Sequence, residues 1–188
     1  MKRIVIGAIV GALIVFFTSA IVHMFTPLGT AGAKMIPHED AVIDAMRNNL
    51  TESGVYFYPG MNMQTHPSEA EQKAWEEKLR RGPSGMIIHV AQGSELPFPK
   101  NLIWEFLTVL GSCLVAAWVV SRTVGTYGTR VIIVAMFAVF AFLSITASHW
   151  IWYQFPTPFV MAEFIGELIA YLLGGLAIAK IVPPPLPQ

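Results

Sequence analysis

Four long apolar segments are the feature that most constrains this chain. They run from about Ile4 to Phe25, Leu102 to Val120, Val131 to Trp150 and Phe159 to Ala179. A helix needs about 20 apolar residues to cross a hydrocarbon core of about 30 Å, and each segment is close to that length. The sequence therefore predicts an all-α membrane bundle of four transmembrane helices.

Charge is distributed unevenly along the chain. Of its residues, 54% are hydrophobic and 13% charged, against about 45–50% and about 25% in soluble proteins. Most charged residues lie between the first two apolar segments. We predict a first helix over residues 1–25, an extramembrane α+β module over 26–100, three further helices over 101–182 and a proline-rich tail over 183–188. The net charge of zero offers no basic field for nucleic acid.

The inserted module shows helix and strand signals in alternation. Residues 37–49 and 67–79 have the acidic first turns of helices, and residues 54–60 and 85–91 are β-rich runs bounded by turn residues. A module of this size has little core of its own, so we expect it to dock on the helices or on a partner. The candidate contact residues are Met61, Met63, Met86, Leu96 and Phe98.

The distribution of basic residues predicts the orientation. Lysine and arginine favour the cytoplasmic ends of short connections. With the N-terminus inside, the cytoplasmic positions hold Lys2, Arg3, Arg122, Arg130 and Lys180, and the short outer loop 151–158 holds none. We therefore predict that both termini, including the tail over 183–188, lie in the cytoplasm, with residues 26–100 on the outer side.

Small residues recur at four-residue spacing in the first and last apolar segments. Such residues let helix backbones approach closely in lipid. Their faces either close an internal bundle or receive a partner subunit, and the sequence leaves both open. The predicted packing positions are Gly7, Gly11, Ala162, Gly166, Ala170 and Gly174.

Each apolar segment carries an ionisable residue near its predicted outer end. Ionisable groups in lipid are costly and usually face the bundle interior. Together they form a candidate intramembrane polar site of His23, Glu105, His149, Glu163 and Glu167.

This polar site has three interpretations. It relays protons or moves a solute, because apolar surroundings help a carboxylic acid keep its proton. It binds a transition metal, although no cofactor is predicted; the ligands would be His23, His149, Glu105 and Glu163. Or it is structural, with Glu163 and Glu167 hydrogen-bonded to Ser144, Ser148 or Thr108.

Three short segments carry a family resemblance. They are PHEDAV at residues 37–42, ESGVYFYPG at 52–60 and WYQFP at 152–156. Together with the layout of the four apolar segments, they resemble an uncharacterised family of small four-span membrane proteins found in many bacterial genomes. The resemblance implies a bacterial inner membrane, with residues 26–100 in the periplasm, but no activity and no site residue.

Catalytic motifs are missing from the sequence. It has no GxSxG, no GxxxxGK and no HExxH, so an enzyme is not expected. The leading prediction is a non-catalytic accessory or scaffolding subunit that associates with other membrane proteins or with itself. The alternatives are a small proton-linked carrier or channel using Glu163 and Glu167, and a membrane-embedded metal-binding protein or enzyme.

Overall fold

The computed structural model describes residues 1–62, 64–92 and 98–185. They form two compact units, Met35–Leu96 and the combination of Met1–Lys34 with Pro97–Gln188. The elements in chain order are α1 (Lys2–Phe25), α2 (Glu39–Asn49), β1 (Gly54–Tyr58), α3 (Glu69–Arg81), β2 (Gly85–His89), α4 (Phe98–Arg122), α5 (Tyr127–Ala141), α6 (Ala147–Tyr153) and α7 (Thr157–Ile181).

Four helical segments are long and apolar enough to cross a membrane, namely Lys2–Phe25, Phe98–Arg122, Tyr127–Tyr153 and Thr157–Ile181. The prediction of four long apolar helices is therefore confirmed. The third segment is not one regular helix, because a π-helical turn over Phe142–Thr146 joins α5 to α6. The sequence analysis did not predict this wide turn.

Helix α1 is central to the helical unit, which combines Met1–Lys34 with Pro97–Gln188. It packs against both α4 and α7, and α5 packs against α7, whereas α4 has little contact with α5 or α7. The buried positions of α1 are small, namely Gly7, Ala8, Gly11, Ala12 and Val15. The neighbours in space therefore run α4, α1, α7, α5, an order that differs from the order in sequence.

The two ends of this unit are named by what they carry. The terminal half holds Lys2, Arg122, Tyr127 and Ile181, and the loop half holds Phe25, Phe98, Tyr153 and Thr157. Most of the fully buried core lies in the terminal half: Ala8, Ala12, Cys113, Ala116, Ala117, Val120, Val134, Ile178 and Val182.

Arg130 departs from the expected exposed position of a basic residue at a helix end. It is only 4% exposed, and its Nη2 donates a hydrogen bond to the Val182 carbonyl. That carbonyl follows α7, where backbone oxygens lack helical partners and the helix dipole favours a cation. Arg130 therefore joins α5 to the end of α7.

The second unit, Met35–Leu96, contains α2, α3 and a two-stranded antiparallel sheet in which Val55 lies opposite Ile88. This confirms the small two-stranded sheet predicted for the module. Two of the predicted contact residues, Met63 and Leu96, lie outside the described residues. The predicted boundaries need two corrections: residues 26–34 belong to the helical unit, and Phe98–Lys100 form the first turn of α4.

A capping box begins α3. The Ser68 hydroxyl accepts a hydrogen bond from the Glu71 amide, and the Glu71 carboxylate accepts one from the Ser68 amide. The hydrogen bonds that the Ser68 amide and hydroxyl donate to the charged carboxylate lower the pKa of Glu71 below its ordinary value of 4.5. Trp75 then ties the helix to the sheet, because its Nε1 donates to the Pro59 carbonyl at 2.9 Å.

Candidate functional site

The two predicted small-residue stripes face each other between α1 and α7. A methyl group added at Gly11 would lie 2.6 Å from Cγ1 of Ile178, and one added at Gly174 would lie 2.6 Å from Cγ2 of Val15. All six predicted packing residues are buried. The stripes therefore close the bundle internally, which is one of the two uses that the sequence left open.

A groove of about 730 Å³ lies in the loop half of the same unit. Helix α1 forms its floor, and α4 and α7 form its walls. The turn after α1 contributes Leu28 and Gly29. The groove is lined by Phe16, Phe17, Ser19, Ala20, Val22, His23, Met24, Leu28, Gly29, Phe98, Leu102, Glu105, Val109, Ala162, Glu163, Gly166 and Glu167.

Four of the five residues of the predicted polar site line this groove: His23, Glu105, Glu163 and Glu167. Each wall supplies its polar side chains from one helix face. On α7, Glu163 and Glu167 are one turn apart and lie next to the small-residue stripe that contacts α1. Packing this stripe on α1 therefore turns the neighbouring carboxylates into the groove.

His149 is not among the lining residues, so the structure brings together four of the five candidate residues. Its ring instead stacks on Phe155 at 5.6 Å between ring centroids and lies 5.7 Å from the ring of Tyr153. The physical reason is the order of the helices. His149 lies on α6, in the segment that packs on α7, while the groove is built from α1, α4 and α7.

The groove concentrates negative charge. Glu105 and Glu163 both lie close enough to Glu167 for their charges to act on its carboxylate. The ion pairs found among the described residues, Arg47–Asp44 and Arg81–Glu77, are both in the second unit. No described lining residue is a lysine or an arginine. The three carboxylates therefore share one groove with His23 and with no lysine or arginine among its described lining residues.

A hydrogen bond joins the two walls just beneath the groove. The hydroxyl oxygens of Ser112 on α4 and Tyr171 on α7 are 2.6 Å apart. Nearby, the rings of Phe16 and Phe106 meet edge to face at 5.7 Å. The sequence analysis did not predict the pairing of Ser112 with Tyr171. Its signal was that Tyr171 lies one turn beyond Glu167, and Ser112 about two turns beyond Glu105.

The predicted hydrogen bonds to Glu163 and Glu167 are not the ones observed. The Thr108 hydroxyl donates to the Glu105 carbonyl at 2.8 Å, and the Ser144 hydroxyl donates to the Phe140 carbonyl at 2.7 Å. Within the described part of the chain, Ser148 has no hydrogen bond to either carboxylate either. Hydroxyls in helices readily bond to a carbonyl one turn back, so these hydroxyls are not available to the carboxylates.

Metal ligation requires three or more suitable side chains at one point. Among residues 1–62, 64–92 and 98–185, no group of three His, Cys, Asp or Glu side chains has that arrangement. The candidate ligands His23, Glu105 and Glu163 share the groove without meeting this condition, and His149 lies elsewhere.

Comparison of the chain with models of known protein families, with curated proteins and with solved structures finds no match. The resemblance to small bacterial four-span proteins therefore stays a prediction from sequence. The groove in the loop half is the feature from which a function can be inferred.

Proposed function

We propose that this chain is a multi-pass protein of the bacterial cytoplasmic membrane that acts as a small proton-linked carrier of positively charged solutes. One observation carries the proposal. Glu105, Glu163 and Glu167, which are distant in sequence, line a single groove that has no lysine or arginine among its described lining residues. We propose that the positive charge that balances these carboxylates is supplied by a bound solute or by protons.

The charges and aromatic residues of the helical unit support a place in the membrane. Trp104, Trp150 and Trp152 are exposed near the end of the loop half, and Trp118 and Tyr127 are exposed in the terminal half. Such residues gather at the two interfaces of a bilayer. Lys2, Arg3, Arg122 and Lys180 lie in the terminal half, so that half is proposed to be cytoplasmic, with Met35–Leu96 in the periplasm.

The groove has the size of a small-molecule site. Its volume of about 730 Å³ falls within the range of about 300–1,000 Å³ that is usual for such sites. Bringing like charges together in an apolar groove is costly, and either a proton or a cationic solute relieves that cost. Competition between the two for the same carboxylates would link movement of the solute to movement of protons.

The groove lies in the loop half, whereas the contact between α1 and α7 in the terminal half is tight. In the terminal half, the contacts of Gly11 and Gly174 leave no space for even a methyl group. The hydrogen bond between Ser112 and Tyr171 lies between that tight packing and the groove. Transport would therefore require the helices below the groove to separate, and the hydrogen bond between Ser112 and Tyr171 is one contact that would have to break.

Proton flux in reconstituted vesicles tests the proposal. Purified protein in vesicles containing a pH-sensitive dye is exposed to gradients of tetramethylammonium and of hexyltrimethylammonium. We expect at least one of these cations to drive counterflow of protons, and Glu163→Gln and Glu167→Gln to abolish it. Glu69→Gln, in the exposed first turn of α3, is the matched control and should behave like the unmodified protein. If neither cation moves protons, or if Glu167→Gln transports normally, the proposal is wrong.

A second candidate function is the accessory or scaffolding subunit, which the second unit favours. Val55 and Ile88 lie opposite each other in the sheet and are 55% and 71% exposed, and Val90, which follows β2, is 55% exposed. Contiguous exposed apolar surface is typical of protein contact sites. Purification in mild detergent should then recover a stoichiometric partner that Ile88→Ser loses and Val42→Ser, an exposed substitution on α2, retains. A lone protein from native membranes would argue against this role.

A further inference from the structure

We infer that the groove takes an amphipathic organic cation, with an ammonium-type head near the carboxylates and an apolar body along the helix walls. This inference rests on the proposed function, because it assumes that the groove binds cations. It adds the chemical class of the ligand. Two features of the groove support it: its apolar lining, and its opening between α4 and α7.

The groove is mostly apolar despite its three carboxylates. Its apolar lining includes Phe16, Phe17, Leu102 and Val109. A small inorganic cation needs several oxygen ligands to replace its water, as Ca²⁺ and Mg²⁺ sites illustrate. No suitable group of three His, Cys, Asp or Glu side chains is found in the part of the chain that the structure describes. An organic cation needs only charge neutralisation and apolar contact.

The length of the groove matches a molecule with a tail. Along α4, the lining residues extend from Phe98 to Val109, a distance of about 16 Å at 1.5 Å per residue. Glu105 lies between these ends, so apolar wall extends on both sides of the charged level. Phe16 and Phe17 add aromatic rings on the floor, and aromatic faces attract quaternary ammonium groups.

We place the opening of the groove in the gap between its two walls. Both walls pack on α1, but α4 and α7 have little contact with each other. In a membrane, a gap between two helices faces the lipid. Amphipathic cations concentrate where the lipid meets water, whereas strongly hydrated ions stay in water. The opening is therefore better suited to a ligand that partitions into the bilayer.

A chain-length series tests the inference. The full-length protein in lipid nanodiscs is titrated with trimethylammonium compounds whose fourth substituent grows from methyl to hexyl, and binding is measured by equilibrium dialysis. We expect affinity to rise about fourfold per added methylene, the usual gain from burying that group. Glu167→Gln should weaken binding of every member of the series by a similar factor.

The apolar wall has a matched pair of variants. Leu102→Ser alters a residue that lines the groove, and Leu107→Ser alters an exposed leucine of α4 that is not among the lining residues. We expect Leu102→Ser to remove the dependence on chain length and Leu107→Ser to keep it. Phe17→Ser is a second groove variant in case Leu102→Ser fails to fold.

The outcomes separate the inference from the proposed function. If affinity does not depend on chain length but Glu167→Gln still abolishes binding, the groove binds cations and the amphipathic ligand class is wrong. If Leu102→Ser and Leu107→Ser have equal effects, the tail binds lipid rather than the groove, and the inference is overturned. If no member binds, both the inference and the proposed function fail.

Discussion

The terminal half and the loop half of the helical unit are built from the same helices but are packed in opposite ways. In the terminal half, glycine and alanine let α1 and α7 approach until no methyl group fits between them at Gly11 or Gly174. In the loop half, larger side chains on α1, beginning at Phe16 and Phe17, line a groove of about 730 Å³. The size of the side chains at the contact therefore decides whether the helices meet or stand apart.

The proposed place of the helical unit in a membrane would account for this difference through the physics of helix association in lipid. Lipid tails are as apolar as leucine side chains, so helices associate through close packing and hydrogen bonds rather than through burial of apolar surface. The small-residue stripe of α7 extends into the loop half as far as Ala162, but α1 offers bulkier residues there. A methyl group at Gly166 would meet Val22 at 3.2 Å, a looser fit than at Gly174. A small-residue stripe on one helix is therefore not enough for close packing, because the facing helix must also offer small residues.

The largest expected effect comes from filling the tight contact. Gly174→Val places a branched side chain against Val15, where even a Cβ atom would lie 2.6 Å from a methyl carbon. We expect the free energy of unfolding to fall by about 3 kcal/mol, the upper end of the usual cost of overpacking. Thermal unfolding in detergent measures it. Gly111→Val is the control, because nothing lies within 4 Å of a Cβ at that position; equal losses in the two variants would contradict the assigned packing.

Removing the hydrogen bond at the boundary between the halves should have a smaller effect. Tyr171→Phe deletes the hydroxyl that bonds to Ser112 on the opposite wall. We expect a loss of about 1 kcal/mol in unfolding free energy, since a neutral hydrogen bond contributes about that much. Ser112→Ala and the double variant complete a thermodynamic cycle. Fully additive effects would show that the two hydroxyls do not stabilise each other.

The exposed second unit provides a reference in which polar caps rather than packing stabilise a helix. Ser68→Ala removes the cap of α3, and we expect the amides of its first turn to exchange hydrogen about fivefold faster. Because the pKa of Glu71 is lowered in the folded protein, its carboxylate stabilises α3 fully at pH values above its ordinary pKa. That stabilisation is lost as the pH falls through the lower pKa of the folded protein. Hydrogen exchange of α3 across that acidic range should show the loss in the unmodified protein and not in Glu71→Gln.

The smallest effect is expected where the loop half has space. Ser19→Leu adds volume to the floor of the groove, so we expect the free energy of unfolding to change by less than about 0.5 kcal/mol. Binding of hexyltrimethylammonium should nevertheless weaken, because the same space would hold the ligand. A loss of stability comparable to that of Gly174→Val would mean that the two halves are equally tightly packed, which would contradict the difference between them.

Local patterns were sufficient to predict the four long helices, the sheet and the position of each ionisable residue along its own helix. The four apolar runs, the acidic first turns and the β-rich runs near Val55 and Ile88 depend on neighbours within a few residues. The same holds for the spacing that puts Glu163 and Glu167 on one face of α7. These features need no knowledge of which helix lies beside which.

The tertiary structure decided which residues share a site. His23, Glu105 and His149 all lie within about two turns of their helix ends, but of these three only the first two line the groove, because α7 packs on α1 with one face and on α5 with another. The same packing buries Arg130 against the end of α7 and pairs Ser112 with Tyr171. Periodicity determines the depth and face of a residue along its own helix, whereas helix order depends on how well two surfaces fit, which no single segment of sequence contains.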